Sequence, residues 1–197
     1  RYVLEFGSDV PRKPPSAAIK VTETENGVTV VTGPLRFVIS RKRFGFIESL
    51  SVDGEQVLAP ERPGAFYLTG LDGTVYTTLG SPDEVTVEES GPMRAVVRVS
   101  GHHQSTDGRK LFAYTIRFHA YAGQRYVRVQ HNFGNDSAGA AFTAIRSLLL
   151  RVPLPHPQAG GERQWRIDES DGVFRGAGRA ELKQHTDDRY SLAASGS

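Results

Sequence analysis

The sequence predicts an all-β fold, a large antiparallel two-sheet sandwich, and three observations carry that expectation. Apolar and polar residues alternate with period two over most of the chain, the repeat that sends successive side chains to opposite faces of a strand. The alternating runs are short and separated by Gly, Asp-Gly and Asn-Gly, which supply the positive φ of tight hairpin turns. No stretch keeps a helical period for more than a turn or two. Many short strands with close-spaced turns are the pattern of a sandwich.

Taken in order, residues 1–6 (Arg-Tyr-Val-Leu-Glu-Phe) begin the chain inside a strand pattern. A loop follows at Pro11, Pro14 and Pro15, because proline has no N–H to give a ladder. Residues 18–24 and 28–32 form strands around Asn26-Gly27. After Gly33-Pro34, the residues Leu35, Phe37 and Ile39 alternate inward. Residues 46–52 and 56–58 flank Asp53-Gly54, and residues 65–69 and 74–79 flank Asp72-Gly73. Val85 and Val87 make a short strand that Gly91-Pro92 separates from a three-strand ladder at 93–102, 109–121 and 124–133, joined at Asp107-Gly108 and Ala122-Gly123.

That ladder organises the chain. In its middle strand Phe112, Tyr114, Ile116, Phe118 and Ala120 point one way and Thr115, Arg117 and His119 the other. Ala95, Val97 and Val99 oppose Arg94, Arg98 and Ser100 in the first strand, and Val127, Val129 and Phe133 oppose Tyr126, Arg128, Gln130 and Asn132 in the third. A polar loop at 134–139 leads to a last long strand at 142–154, whose Leu148, Leu149 and Leu150 are apolar on both faces, as expected of an inner strand covered on both sides. From Pro153 the texture changes to a loop containing Pro155, Pro157, Gly160 and Gly161, then a tail with weak strand patterns near Trp165 and at 172–174, 180–184 and 190–193. One domain is expected over residues 1–197, with its core in 1–154 and a looser tail in 155–197.

Composition narrows the function classes. The 24 Lys and Arg nearly balance 22 Asp and Glu, for a net charge of +2. The positive side chains are spread along alternating strand positions rather than clustered among stacking aromatics, so no nucleic-acid partner is expected. No 18-residue apolar span or signal-peptide pattern is present, and no membrane partner is expected. The chain has no cysteine, which excludes disulfides and thiolate metal sites but leaves the compartment open. It starts at Arg1 without an initiator Met and closes on Leu-Ala-Ala-Ser-Gly-Ser, which suggests a piece of a longer polypeptide.

The six histidines show no metal-ligand spacing: His102 and His103, as strand neighbours, point oppositely, and the rest are dispersed. No metal is expected. No phosphate loop, dinucleotide fingerprint or nucleophile elbow appears, and no cofactor is expected. The acidic pairs Glu88-Glu89 and Asp187-Asp188 are adjacent and so diverge on strands, which suits solvated charges better than a hydrolytic pair. The polar face is the principal candidate. Arg98, Arg117, Arg128, Gln130 and Asn132, with Asn135 in the following loop, are either the solvated side of a half-buried sheet or a surface of guanidinium forks and amides that recognises the carboxylates and hydroxyls of acidic sugars. Strand spacing sets the three arginines side by side, so either nearby acids such as Glu88 or Glu89 or a bound anion must offset their repulsion. His131, on the Val127 and Val129 side, is either a core histidine satisfied by a carbonyl or a proton shuttle at the rim, and His119 on the polar face is the second candidate proton carrier.

Four stretches carry a resemblance: Val31-Thr-Gly-Pro-Leu-Arg-Phe-Val-Ile-Ser40, Ile47-Glu-Ser-Leu-Ser-Val-Asp-Gly54, Gly91-Pro-Met-Arg-Ala-Val-Val-Arg-Val-Ser-Gly101 and Phe118-His-Ala-Tyr-Ala-Gly-Gln-Arg-Tyr-Val-Arg-Val-Gln-His131. Together they resemble the central β-sandwich of exo-rhamnogalacturonan lyase-like (YetA-like) polysaccharide lyases, a galactose-mutarotase-like supersandwich. The likeness runs from Arg1 to about Leu154 and more loosely through Leu182-Lys-Gln-His185. It implies two flanking partners on the same polypeptide, a RIFT-type barrel and an α/α toroid. It also implies β-elimination on acidic, rhamnose-containing oligo- or polysaccharides, in which a base takes the C5 proton of a uronate while a partner group neutralises its carboxylate. No motif here fixes the base or the neutraliser. On this reading the chain is one wall of the cleft of a secreted or cell-surface enzyme, inactive by itself. The rivals are a non-catalytic carbohydrate-binding or scaffold sandwich and a mutarotase-like sandwich of other specificity.

Overall fold

The structure, a computed structural model, describes residues 7–9, 18–58, 63–136 and 142–154, together with the strands at 164–169, 172–177, 179–184 and 190–195. The expected strand at 1–6, the loop at Pro11, Pro14 and Pro15, the loop at Pro155 and Pro157, and Ser137, Asp187 and Asp188 lie outside the described residues. The chain divides into two compact units, Arg1–Leu154 and Pro155–Ser197.

The first unit is all-β, two antiparallel sheets forming a sandwich, one of them strongly curled. One sheet is a five-strand meander of β1 (Lys20–Glu23), β2 (Gly27–Val31), β3 (Leu35–Ser40), β4 (Ser49–Val52) and β5 (Glu55–Gln56). The other contains β6 (Ala65–Gly70), β7 (Val75–Thr77), β8 (Glu84–Ser90), β9 (Arg94–Gln104), β10 (Lys110–Tyr121), β11 (Val127–Gly134) and β12 (Ile145–Arg151). Its order is β11-β10-β9-β7-β6-β12, with β8 also paired to β9. In the second unit β13 (Gln164–Glu169) pairs with β14 (Gly172–Ala177), and β15 (Arg179–Gln184) with β16 (Tyr190–Ser195). The described residues contain no helix, and none is long and apolar enough to cross a membrane.

The turn chemistry explains the connections, with one difference. Asp53 and Gly54 have φ of 52° and 88°, the double left-handed geometry of a type I′ hairpin turn. Gly73 and Gly108, at φ 84° and 86°, end three-residue loops closed by Gly70 N–H to Thr74 O (2.9 Å) and Ser105 N–H to Arg109 O (2.9 Å). At Asn26-Gly27 the turn lies one residue earlier: Thr24 N–H donates to Gly27 O (2.9 Å) and Gly27 already belongs to β2. Its glycine answers to space, since a Cβ there would run into the Ile39 carbonyl of β3.

The alternation fills the core from both sheets. Val28, Val30, Leu35, Phe37 and Ile39 face Ala95, Val97, Val99, Tyr114, Ile116, Phe118 and Ala120, all buried. Phe44 and Phe46, between β3 and β4, plug the space between the sheets against Phe118, with ring centroids 6.2 and 5.5 Å away. Burial on this scale supplies the main driving force for the fold.

The reading of 142–154 as an inner strand is corrected. β12 is an edge strand of its sheet, paired only to β6 among the described residues. Leu148 packs on the core, but Leu149 is 61% and Leu150 44% exposed. An apolar run cannot by itself distinguish a doubly covered strand from an edge strand.

Candidate functional site

Registers across β8, β9, β10 and β11 place the polar side chains in rows on one face of the curled sheet. Arg98 stands opposite Arg117, which stands opposite Gln130; Val96 stands opposite His119, which stands opposite Arg128; Ser100, Thr115 and Asn132 form a third row. The face exists because the opposite set of alternate residues fills the core.

Its electrostatics come from a strand whose acids the sequence reading placed apart. The β8 to β9 register shifts between Val87 and Glu89, a β-bulge that lets neighbouring residues share a face. Glu88 and Glu89 therefore do not diverge, as adjacent strand residues would; both ion-pair with arginines of the polar face. Glu88 takes Arg117 in a fork, Nε to Oε2 at 2.7 Å and Nη2 to Oε1 at 2.9 Å, and lies 3.1 Å from Arg98 Nε. Glu84 accepts from Arg98 Nη2 at 2.7 Å, and Glu89 from Arg94 Nε at 2.8 Å. The hydrogen bond from Arg117 holds the Glu88 carboxyl below its ordinary range. Among the described residues Arg128 has no such partner and is exposed.

Beside it, His119 keeps both ring nitrogens closed to water and without a hydrogen-bond partner. Burial, and then the guanidiniums of Arg94, Arg128 and Arg117, hold it below the usual imidazole range and thus neutral at pH 7. Gln130 and Asn132 are exposed on the same edge strand, and Asn135 follows it with bonding partners of its own.

His131 lies on the other face. Its ring stacks on Phe66 at a centroid distance of 3.9 Å and packs against His103 and Phe133, each at 5.6 Å. Its Nε2 is buried without a partner, and burial, with His103 nearby, pushes its pKa down to about 4. The histidine bonded to a carbonyl is His103, fully buried, whose Nδ1 donates to Phe112 O at 3.0 Å while its Nε2 is buried without a partner. The structure therefore joins His119 with Arg98, Arg117, Arg128, Gln130 and Asn132 on one face and separates His131 from them.

Two features of the face were missed in sequence. His102 lies between two carboxylates, Nδ1 3.0 Å from Asp83 and Nε2 2.8 Å from Asp136. Asp136 also accepts from Ala113 N–H at 3.3 Å, beside the bulge at Phe112. With a carboxylate at hydrogen-bond distance from each ring nitrogen, this group is a clamp tying the end of β11 to β9, and neither nitrogen is free to act as a base. The acids stand on opposite sides of the ring, and the described residues hold no group of three or more His, Asp or Glu suited to a metal ion. The second feature is an aromatic pair at the other end, Tyr121 and the 54% exposed Tyr126, with centroids 6.0 Å apart. Period two had placed Tyr126 on this face, but its partner needed the register.

A family model described as PcRGLX-like protein central beta sandwich domain matches residues 19–192. The chain is also similar to the uncharacterized protein YetA of Bacillus subtilis (strain 168), 28% identical over 191 residues. That alignment covers 93% of this chain and 22% of the relative, so the chain spans about a fifth of the relative's length. Two curled-sandwich sheets and a family match running from before β1 into β16 agree, and the chain belongs to the PcRGLX-like central beta sandwich domain family.

Proposed function

We propose that this chain is the sandwich domain of a polysaccharide lyase that cleaves acidic, rhamnose-containing glycans by β-elimination, and that its polar face forms one wall of the substrate cleft. The observation that carries the reading is an ordered row of arginine, amide and imidazole side chains on a solvent-facing sheet within a domain of this family. Guanidinium and amide groups suit a uronate carboxylate and its neighbouring hydroxyls. In such a reaction the arginine neutralises the carboxylate and so acidifies the C5 proton, while the base comes from a group able to accept it. His119, uncharged and on the same face as Arg128, fits a proton acceptor better than His131, which lies on the opposite face of the sheet against Phe66. The remaining cleft walls belong to flanking domains of an exported enzyme.

Ultraviolet absorbance of the unsaturated uronate product tests this. The full-length protein is expected to generate the signal from rhamnogalacturonan-type glycans, and the chain of residues 1–197 alone is expected to give none. Full-length protein silent on every acidic glycan would favour a non-catalytic carbohydrate-binding module. Turnover by residues 1–197 alone would remove the wall model.

A further inference from the structure

We infer that the end of the polar face formed by Tyr126, Tyr121, Arg128 and His119 is a seat for a single uronate residue of an oligosaccharide, with the sugar ring on the tyrosine pair and its carboxylate on Arg128. The inference rests on the acidic-glycan reading above and narrows it to one part of the face.

Charge selects Arg128. Of the four guanidiniums on this face, Arg94, which stands opposite Tyr121, Arg98 and Arg117 are held by Glu89, Glu84 and Glu88. An anion arriving at them must displace a carboxylate already in place. At Arg128 no carboxylate of the described residues stands in the way, and the fork is open for two parallel hydrogen bonds.

The aromatic pair selects a sugar over a simple anion. Tyr126, just before β11, is exposed beside Tyr121 at the end of β10, and the two lie two residues along the chain from Arg128 and His119. Two residues along a strand span about 6.7 Å, a distance that half a pyranose ring, its carboxylate and one charge-assisted hydrogen bond to a guanidinium together bridge. Flat aromatic faces bind the C–H side of a pyranose by apolar contact, while water keeps the tyrosine hydroxyls solvated.

His119 supplies the third element. A neutral imidazole offers one donor and one acceptor, the complement of a sugar hydroxyl, and here both are unused. Because they are closed to water, a hydroxyl reaches them only when neighbouring long side chains move. Arg128, held by no partner among the described residues, is the one free to swing toward a carboxylate.

The test is binding of trigalacturonate to the full-length protein by titration calorimetry, with a neutral galactotriose and inorganic sulfate as comparison ligands. R128Q is expected to weaken trigalacturonate about 10- to 100-fold and to flatten the salt dependence. Y126A is expected to weaken it about 3- to 10-fold and Y126F to leave it unchanged. Galactotriose is expected to bind weakly and to be indifferent to R128Q. Thermal unfolding of R128Q and Y126A should stay close to wild type, because both side chains are exposed, Arg128 has no ion-pair partner among the described residues and Tyr126 touches Tyr121 only at the surface. If wild-type protein forms product but R128Q and Y126A bind and cleave as wild type does, the seat is elsewhere and this inference fails while the lyase reading stands. If sulfate binds as tightly as trigalacturonate and Y126A changes neither, the site is a plain anion seat and the inference also fails. Loss of binding in both variants of a protein that never forms product would support the seat and reject the lyase chemistry.

Discussion

Replacing His131 by phenylalanine should make the fold less sensitive to acid. In the native state His131 is stacked between Phe66 and Phe133 with its Nε2 unpartnered, and burial, with His103 opposite, holds its pKa near 4 against an ordinary 6.5. The unfolded chain therefore binds a proton that the folded chain refuses between about pH 6.5 and 4, and stability falls as pH drops through that window. A displacement of this size is worth at most about 3 kcal/mol; the ring is only partly buried, and solvent screening reduces this to about 1–2 kcal/mol. His103, pushed down chiefly by burial, adds a loss of the same sign. The acids Glu84, Glu88, Asp107 and Asp136 have depressed pKa values, so their contributions disappear lower, as pH falls below their ordinary 4.5 and 3.8. The two windows are separable.

Thermal unfolding followed by circular dichroism at pH 7.5, 6.0 and 4.5 reads the effect. Wild type should lose roughly 2–8 °C more than H131F across that range. At pH 7.5 H131F should be as stable as wild type or more so, because phenylalanine extends the stack and removes an unsatisfied buried nitrogen. Parallel decline of the two proteins between pH 6.0 and 4.5 would refute the assignment of the acid loss to His131.

Two further substitutions probe the sheet itself. Gly101→Ala would put a Cβ 2.6 Å from the Tyr114 hydroxyl, which lies across that glycine; with the Tyr114 ring buried, a cost of about 1–3 kcal/mol is expected in chemical denaturation, and an unchanged midpoint would mean that the ring moves freely. Glu88→Gln leaves Arg98 and Arg117 facing each other with a weaker bridge and should cost about 0.5–1 kcal/mol, shrinking in high salt; a double-mutant cycle with R117Q should recover most of that amount, and additive losses would show that the fork contributes nothing.

The parts of the fold set by local chemistry were legible in the sequence. Alternation from Phe112 to Ala120 placed every second residue in the core, and Asp53-Gly54 carried its own turn type. What was not legible depended on contacts between distant segments. Gly27 looked like a turn glycine, yet its requirement comes from β3 passing close by. Leu149 and Leu150 read as doubly covered because hydrophobicity does not reveal which strand ends a sheet. The clamp at His102 joins residues 19 and 34 positions away, a spacing that no local period reports. On the polar face the arginines were visible and Glu88 or Glu89 could be named as a neutralising acid, but which acid meets which arginine was not legible, because a bulge changes which side of the strand each following residue takes.

Strand order also accounts for why the arginines divide into two kinds. β8 and β10 flank β9, and β11 lies beyond β10. A carboxylate on β8 must cross two inter-strand gaps, about 9.6 Å, to meet a residue of β10, and three, about 14 Å, to meet one of β11. The combined reach of a glutamate and an arginine covers the first distance, as the 2.7 Å contact of Glu88 with Arg117 demonstrates, whereas the second is a poor match for the same pair of side chains. Glu88 follows Glu84 and Thr86 onto the polar face by plain alternation, and the bulge beside it keeps Glu89 on that face too, where it meets Arg94 instead of turning toward the core. With Glu84, Glu88 and Glu89 so placed, the repulsion in the interior of the face is removed internally, and among the described residues the positive charge left without an acid is on the edge strand, at Arg128. Any anion drawn to this face by its charge is therefore directed to the edge beside Tyr126, and raising the salt concentration should weaken its binding there before it disturbs the half-buried Glu88 bridge.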